Sequence, residues 1–429
     1  MSALTTAYTP RVEDCSKPEP RHTGKPERPD VGARPADALR PNVLVCWAFY
    51  LSVFAIPFAQ LYVPGTGGKI GVTRVVQAVI LGAILAQPRV CLGLVPIAIF
   101  WFLAYCGARI LAGLWFTPES SALWWPSTLN WLQFSLPWIW VMFNLLQFPT
   151  VSRKGLWALV WGCCLCALLH LAGIGVVEVD NGIEGRSTVF GENANVVGAT
   201  YAIAAIVLVG LGMLKDVTPR QRLLLLPLIA LVGAGMAKTG SRTAVLILLL
   251  GVAVLFFQGQ AFGSRTKRFA ILVLIGVVLA GVISLIPTAM QRFAKLDSSR
   301  IPAQESRVRM APVLWEMFLR SPIYGLGPDG YQLELTRRTM PYLLKDQRLI
   351  SSHNLALLLL VETGIIGFLL FLSGLKASVV SGWKARLKPC GSLPLALILP
   401  LAIAGFLLSD PSHELVFWFA MAYALAGAA

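Results

Sequence analysis

Charge is what this sequence has least of. Its 429 residues carry 36 Lys+Arg and 21 Asp+Glu, and charged side chains make up 13%, about half the share of a soluble domain. A soluble reading is strained from the start. The few charges are also unevenly placed, with thirteen in residues 1–40 and sixteen in residues 290–350, which leaves 28 for the other 328 positions. Strand-length apolar runs are missing, so the backbone of a membrane-embedded chain has to be satisfied within helices. Cysteine is missing from the outer loops: Cys46, Cys91, Cys106, Cys163, Cys164 and Cys166 fall inside apolar runs, Cys15 in the N-terminal tail and Cys390 in a basic loop. No disulfide framework is implied. The first forty residues hold seven basic and six acidic side chains and six prolines. They lack the apolar stretch of a signal peptide, and residues 1–41 read as a disordered tail.

The charge-poor remainder consists of apolar runs of about twenty residues, the length that crosses a hydrocarbon core of about 30 Å. Twelve spans are expected, at 42–62, 70–86, 90–116, 122–148, 155–176, 194–214, 222–237, 243–258, 268–288, 353–374, 391–408 and 412–428. The fold class is therefore an all-α polytopic membrane protein. Orientation follows from the short loops, because cytoplasmic loops retain Lys and Arg. One alternate set holds Arg89, Arg153, Lys154, Lys215, Arg220, Arg222, Arg265, Lys267, Arg268, Lys376, Lys384, Arg386 and Lys388 against a single acid, Asp216. The opposite set is rich in acids: Glu119, Glu178, Asp180, Glu184, Glu192, Asp410 and Glu414. Both termini are then cytoplasmic, with transmembrane helices one to nine in 42–289, an outer loop at 290–350 and helices ten to twelve in 351–429. The net charge of +15 is mostly this topological signal. No nucleic-acid motif accompanies it, and nucleic acid is not an expected partner.

Two outer segments, 178–193 and 290–350, are longer than connection requires, and long loops are usually functional. In the second, Glu305 to Arg320 places Val308, Leu314, Trp315 and Phe318 on one side of an amphipathic helix suited to the membrane surface. Ser321-Pro-Ile-Tyr-Gly-Leu-Gly-Pro-Asp-Gly330 then breaks it with turn residues.

Basic residues on the outer side of the spans are the next signal, since an unpaired charge there is expensive and functional by default. Arg186 precedes span six and Arg242 opens span eight. Both stand near helix starts, where free N–H groups and the dipole favour anions, and a planar guanidinium forks onto phosphate oxygens. A clamp on pyrophosphate and a purely interfacial role are both open on this pattern. Arg74, a turn inside span two, and Arg109, about two turns below the outer end of span three, are read as snorkelling outward to lipid phosphates. His353 opens span ten on the same surface, and its neutral imidazole can accept a proton. Glu362, nine residues on within that span, is costly unless paired and is expected to support the site together with Asn354. Glu178 and Asp180 are the weak alternative for a metal. The Cys163, Cys164, Cys166 cluster is read as packing, His170 as packing or interface, and His413 as a loop histidine.

These residues carry a resemblance. His353-Asn354, nine residues, Gly364, two residues and Gly367 resembles the signature of the bacterial O-antigen ligases and the related O-antigen polymerases. Arg242-Thr-Ala-Val-Leu246 resembles that family's Arg, three positions, Leu element. Arg186 before Phe190-Gly191-Glu192-Asn193-Ala194-Asn195 resembles its upstream arginine segment. Ala194 departs from the pattern, standing where relatives often have proline.

The resemblance implies a GT-C-like integral membrane glycosyltransferase of lipopolysaccharide biosynthesis in the bacterial inner membrane, with the 290–350 loop and the active site facing the periplasm. Its donor would be an undecaprenyl pyrophosphate-linked glycan and its acceptor a lipid A-core sugar, with membrane lipids around both. Arg186 and Arg242, with Arg74 and Arg109 as further pyrophosphate or lipid contacts, would bind the leaving group, and His353 would deprotonate the acceptor with inversion. No cofactor and no metal are expected. An O-antigen or exopolysaccharide polymerase shares the motifs. A transporter or lipid flippase is the more distant alternative, although no broken helix is evident in the sequence.

Overall fold

Apolar composition becomes helix nearly everywhere among the described residues. The structure is a computed structural model that describes residues 40–59, 61, 71–117, 121–178, 187–213, 218–258, 302–328, 330–339, 354–388, 391–408 and 414–429. The helices are α1 (Val43–Phe54), α2 (Val72–Ala86), α3 (Pro88–Cys91), α4 (Ile97–Phe116), α5 (Ser121–Asn130), α6 (Leu136–Leu146), α7 (Pro149–Leu171) and α8 (Ala194–Gly212). They continue with α9 (Pro219–Thr239), α10 (Arg242–Gln258), α11 (Pro302–Arg320), α12 (Gly330–Thr339), α13 (Leu355–Ala385), α14 (Leu393–Leu408) and α15 (Leu415–Ala428).

Helices occupy eleven of the twelve predicted spans, and the ninth, 268–288, lies outside the described residues. Among the described residues, five segments, Ile97–Phe116, Pro149–Leu171, Ala194–Gly212, Arg222–Thr239 and Leu355–Ala385, are long and apolar enough to cross a membrane, and five more apolar helices are shorter. The surface agrees with lipid as solvent. Leu85, Trp115 and Leu111 are 83%, 82% and 70% exposed, which water would not tolerate across so many large side chains. By contrast α8 is buried along almost its whole length, enclosed by α7, α9, α10 and α14, as expected of a helix that is apolar all round. α15 is buried in the same way.

Without a hydrophobic driving force between helices in lipid, close packing has to come from small residues. A Cβ on Gly162 of α7 would stand 2.2 Å from the Phe54 carbonyl oxygen at the end of α1, and one on Gly251 of α10 would stand 2.3 Å from Ile206 of α8. A second adhesive is aromatic. Phe102 of α4, Trp131, Phe371 of α13 and Trp418 of α15 meet edge to face or tilted at centroid distances from 5.1 to 6.1 Å, each such pair adding about 0.5–1.5 kcal/mol beyond area burial. Trp131 opens a π-helical turn, Trp131–Ser135, between α5 and α6.

Three expectations need correction. First, strands are present: β1 (Val176–Glu178) pairs antiparallel with β2 (Ser187–Val189), Val176 opposite Val189. Three-residue strands are too short to leave an alternation that can be read in sequence. Second, the buried face of α11 is Met310, Leu314 and Met317, while Trp315 is exposed. That face packs against α13, so protein covers part of the apolar side that the sequence pattern assigned to the membrane surface. Third, α13 is both longer than its predicted span and broken. It runs on to Ala385, which places Lys376 and Lys384 in helix, and inside it Gly364 has φ 63° and ψ −165°.

The break is filled by the chain itself. Leu326 N–H donates to Val361 O at 2.7 Å and Gly327 N–H to Glu362 O at 3.0 Å, while Ile365 N–H donates to Pro322 O at 2.9 Å. The 321–328 turn segment therefore satisfies backbone groups that the interrupted helix leaves open. Close approach explains the glycines: a Cβ on Gly364 would lie 2.2 Å from Ile323 O, and one on Gly325 would lie 2.4 Å from Glu362 O. Gly364→Ala meets both a backbone conformation closed to L-residues and this collision, and a loss of about 3 kcal/mol or more is expected. Gly391→Ala, at φ 60° with open space around it, should cost only about 1 kcal/mol. Thermal melting in detergent checks the pair, and equal melting temperatures for the two variants would contradict the account.

Candidate functional site

Helix starts and their caps bring the arginine segments together. Ser187, the residue after Arg186, opens β2. Beyond β2 the chain turns through Phe190 at φ 56° and Gly191 at φ 76°. A left-handed phenylalanine costs about 1–2 kcal/mol; its ring lies against Phe58 and its N–H donates to Gly175 O at 2.8 Å. Asn193 then caps α8, its Oδ1 accepting from Asn195 N–H at 2.9 Å. Ala194 is the first residue of that helix, a position that suits proline, so its departure from the family pattern leaves the turn in place.

Arg242 is the first residue of α10 and is exposed. The turn before it uses Gly240 at φ 60°, and Ser241 caps the helix by accepting from Ala244 N–H at 3.3 Å. The same Ser241 hydroxyl donates to Asn195 Oδ1 at 3.0 Å, which ties the start of α10 to the start of α8. A Cβ on Gly198 would lie 2.9 Å from that of Ser241, so the two helix starts are packed as closely as side chains allow. His170, at the end of α7, adds another strut. Its Nε2 is 2.9 Å from Ser187 Oγ, and its carbonyl accepts from Lys238 Nζ at 2.6 Å. Buried and stacked on Tyr201, His170 links the strand that follows Arg186 to the end of α9. The sequence suggests packing or an interfacial place for His170, and its link to Ser187 carries no local sequence signal.

The other predicted residues fall as follows. Arg186, Asp180, His353 and His413 lie outside the described residues, as does the side chain of Arg74, which belongs to the first turn of α2. Glu178 ends β1 and is exposed. Asn354 is the N-cap of α13, its Oδ1 accepting from Leu357 N–H at 3.0 Å, so the asparagine after His353 starts the helix. Cys163 and Cys166 are buried against Thr200 O and Pro57 O, as packing residues would be.

Arg109 needs a correction. It does not snorkel: the residue is 5% exposed, and its Nη1 donates to Glu362 Oε2 at 3.0 Å. Its Nη2 donates to Ser127 Oγ at 3.0 Å and its Nε to Thr128 Oγ1 at 3.2 Å. The pair supplies the partner that Glu362 required. Arg109 stands seven residues before the end of α4, about 10 Å along the helix axis, and there removing one partner of a buried pair typically costs about 3–5 kcal/mol.

The family model for O-antigen ligase matches residues 226–372. That part of the chain is similar to the O-antigen ligases. The match takes in Arg242, the 321–328 segment, His353, Asn354, Glu362, Gly364 and Gly367, and within it the backbone of the 321–328 segment is bonded to Val361, Glu362 and Ile365. No curated protein matches the chain. A multi-pass membrane location accords with both this similarity and the apolar helices.

The signature's spacing now has a physical reading. Asn354 caps the helix. Gly364 permits the break, and Gly367 leaves room for Thr363, whose Oγ1 would lie 2.0 Å from an added Cβ. Outside the helices of the membrane, Glu316 of α11 accepts from Arg338 of α12 at 3.2 Å, which joins the two helices, and from Arg320 of its own helix at 2.9 Å, while Glu334 accepts from Arg338 within α12 at 2.7 Å. Hydrogen bonds from Arg338 and then Arg320 hold the Glu316 carboxyl below its ordinary range. These groups are well solvated, so each pair contributes little to stability.

Proposed function

We propose that the chain is an inverting, metal-independent glycosyltransferase that moves a glycan from undecaprenyl pyrophosphate to a hydroxyl of a lipid A-core sugar. The reaction takes place at the periplasmic face of the bacterial inner membrane, on a GT-C-like frame of about twelve spans with both termini in the cytoplasm. The observation that carries this reading is the O-antigen ligase match over the segment that contains both Arg242 and the His353 signature.

In this mechanism the acceptor hydroxyl oxygen attacks the anomeric carbon as the bond from that carbon to the pyrophosphate oxygen breaks. The electron pair leaves with the pyrophosphate. His353 takes the hydroxyl proton, which raises the nucleophilicity of the oxygen when it is needed. Arg186 and Arg242 hold the pyrophosphate and meet the charge that develops on it, a role in which a fixed guanidinium fork outperforms mobile water. Ser241, Asn195 and His170 support this role by joining the segments that carry the two arginines.

One observation bears on the transporter alternative. α13 is a discontinuous helix, a feature that transporters use to expose backbone groups to substrate. Here Val361 O, Glu362 O and Ile365 N–H are already bonded to the 321–328 segment, so the break serves internal structure. Purified protein given undecaprenyl pyrophosphate-linked glycan and lipid A-core should transfer glycan equally with and without EDTA. Loss of turnover in EDTA that magnesium restores would replace the arginine mechanism with a metal held near Glu178 and Asp180. Extension of carrier-linked glycan with no use of lipid A-core would identify a polymerase.

A further inference from the structure

The break at Gly364 divides α13 into a short half, Leu355–Thr363, and a long half that continues to Ala385. The short half is led in sequence by His353, and three sets of contacts hold it. At its head Asn354 caps the first turn. At its foot Val361 O and Glu362 O accept from the 321–328 segment. Between helices, the Glu362 carboxylate meets Arg109 of α4, whose guanidinium also reaches Ser127 and Thr128 of α5.

A helix interrupted by a residue at φ 63° has lost the continuous hydrogen-bond ladder that would fix one half relative to the other. Its direction then depends on lateral contacts. Among the described residues the Arg109–Glu362 pair is the ionic one of these contacts, and it joins positions 253 residues apart. A purely structural ion pair could sit anywhere along α4 and α13, but this one is two residues from the break, at the end of the segment that leads back to His353.

The geometry points to Glu362 and Arg109 as positioning residues: their buried pair, seated beside the helix break and the inserted 321–328 segment, sets the direction of Leu355–Thr363, the half-helix that His353 precedes in sequence, and so acts on the step proposed for His353. Only the effect on turnover rests on the glycosyl-transfer reading. The mechanical part stands on the contacts alone. Misplacement of a reacting group by about 1 Å is enough to cost about 100-fold in rate, whereas a donor held by the arginine segments of α8 and α10 does not depend on this pair.

The test compares wild type with Glu362→Gln and Arg109→Lys in the full-length purified protein, and adds the charge-swapped double variant Arg109→Glu/Glu362→Arg. Two readouts are taken: backbone hydrogen exchange over 355–363, and steady-state transfer corrected for the folded fraction. Glu362→Gln should raise exchange in 355–363 and lower kcat about 10–100-fold, with the binding of undecaprenyl pyrophosphate alone unchanged. Arg109→Lys should lie between this variant and wild type, and the double swap should recover part of the lost kcat.

Unchanged exchange in both single variants would overturn the mechanical inference whether or not the wild type transfers glycan. Raised exchange with normal kcat per folded molecule would overturn the link to His353. Equal losses in kcat and in pyrophosphate binding would show general damage to the site and would also overturn it. Failure of the wild type to transfer glycan, with exchange still raised in the variants, would remove the glycosyl-transfer reading while leaving the pair as the device that directs the half-helix.

Discussion

His353→Ala is expected to lower transfer by about 1,000-fold while leaving donor binding intact. General-base assistance contributes about 100- to 10,000-fold, and 1,000-fold corresponds to about 4 kcal/mol of lost transition-state stabilisation. The effect should fall on kcat, because the imidazole meets the acceptor proton during bond formation and does not bind the donor. The wild-type rate should also fall on the acidic side, where an imidazole is protonated and cannot accept, and the residual activity of the variant should lack that limb. Single-turnover transfer measured against pH, alongside binding of undecaprenyl pyrophosphate, checks both points. Normal turnover in His353→Ala would end the assignment of this residue as the base.

Arg242→Lys is expected to lower kcat/KM about 10- to 100-fold, or about 1.4 to 2.7 kcal/mol. A lysine keeps the charge but offers a point in place of a planar fork, so paired hydrogen bonds to phosphate oxygens are lost. Arg242→Ala should cost more, about 100- to 1,000-fold, the range found when one donor to a developing oxyanion is removed. The structure sharpens this prediction. Arg242 is the first residue of α10, beside a cap that also bonds Asn195, so its replacement leaves Ser241 and the helix start in place. Thermal stability should therefore stay near that of wild type while kinetics change. Unchanged kinetics in Arg242→Lys would return this arginine to a lipid-phosphate role.

The helical membrane class was legible because its signal is local: twenty apolar residues in a row and basic loops between them. Asn354 and Gly364 were legible as positions but not as mechanics. The spacing of the signature pointed to them, yet nothing in it says that one caps α13 and the other breaks it. What escaped the sequence depends on distant partners. Glu362 announced that it needed a counter-charge, and only the fold places Arg109, 253 residues away, within 3.0 Å. The inserted 321–328 segment escaped for the same reason, since its backbone hydrogen bonds carry no side-chain code. The protein-covered face of α11, Met310, Leu314 and Met317, was only partly legible, because an amphipathic pattern shows that a helix has an apolar side without telling whether lipid or protein covers it. The small hairpin of β1 and β2 was hidden by its length.

The central claim is that the chain transfers a lipid-linked glycan to an acceptor hydroxyl with inversion. The most direct measurement reconstitutes the purified protein in liposomes with undecaprenyl pyrophosphate-linked glycan and lipid A-core, then reads the acceptor's mass and the anomeric configuration of the new bond. The account predicts lipid A-core heavier by one glycan, with the configuration opposite to that in the donor. An unmodified acceptor, with the glycan either moved intact across the bilayer or added to another carrier-linked chain, would contradict it.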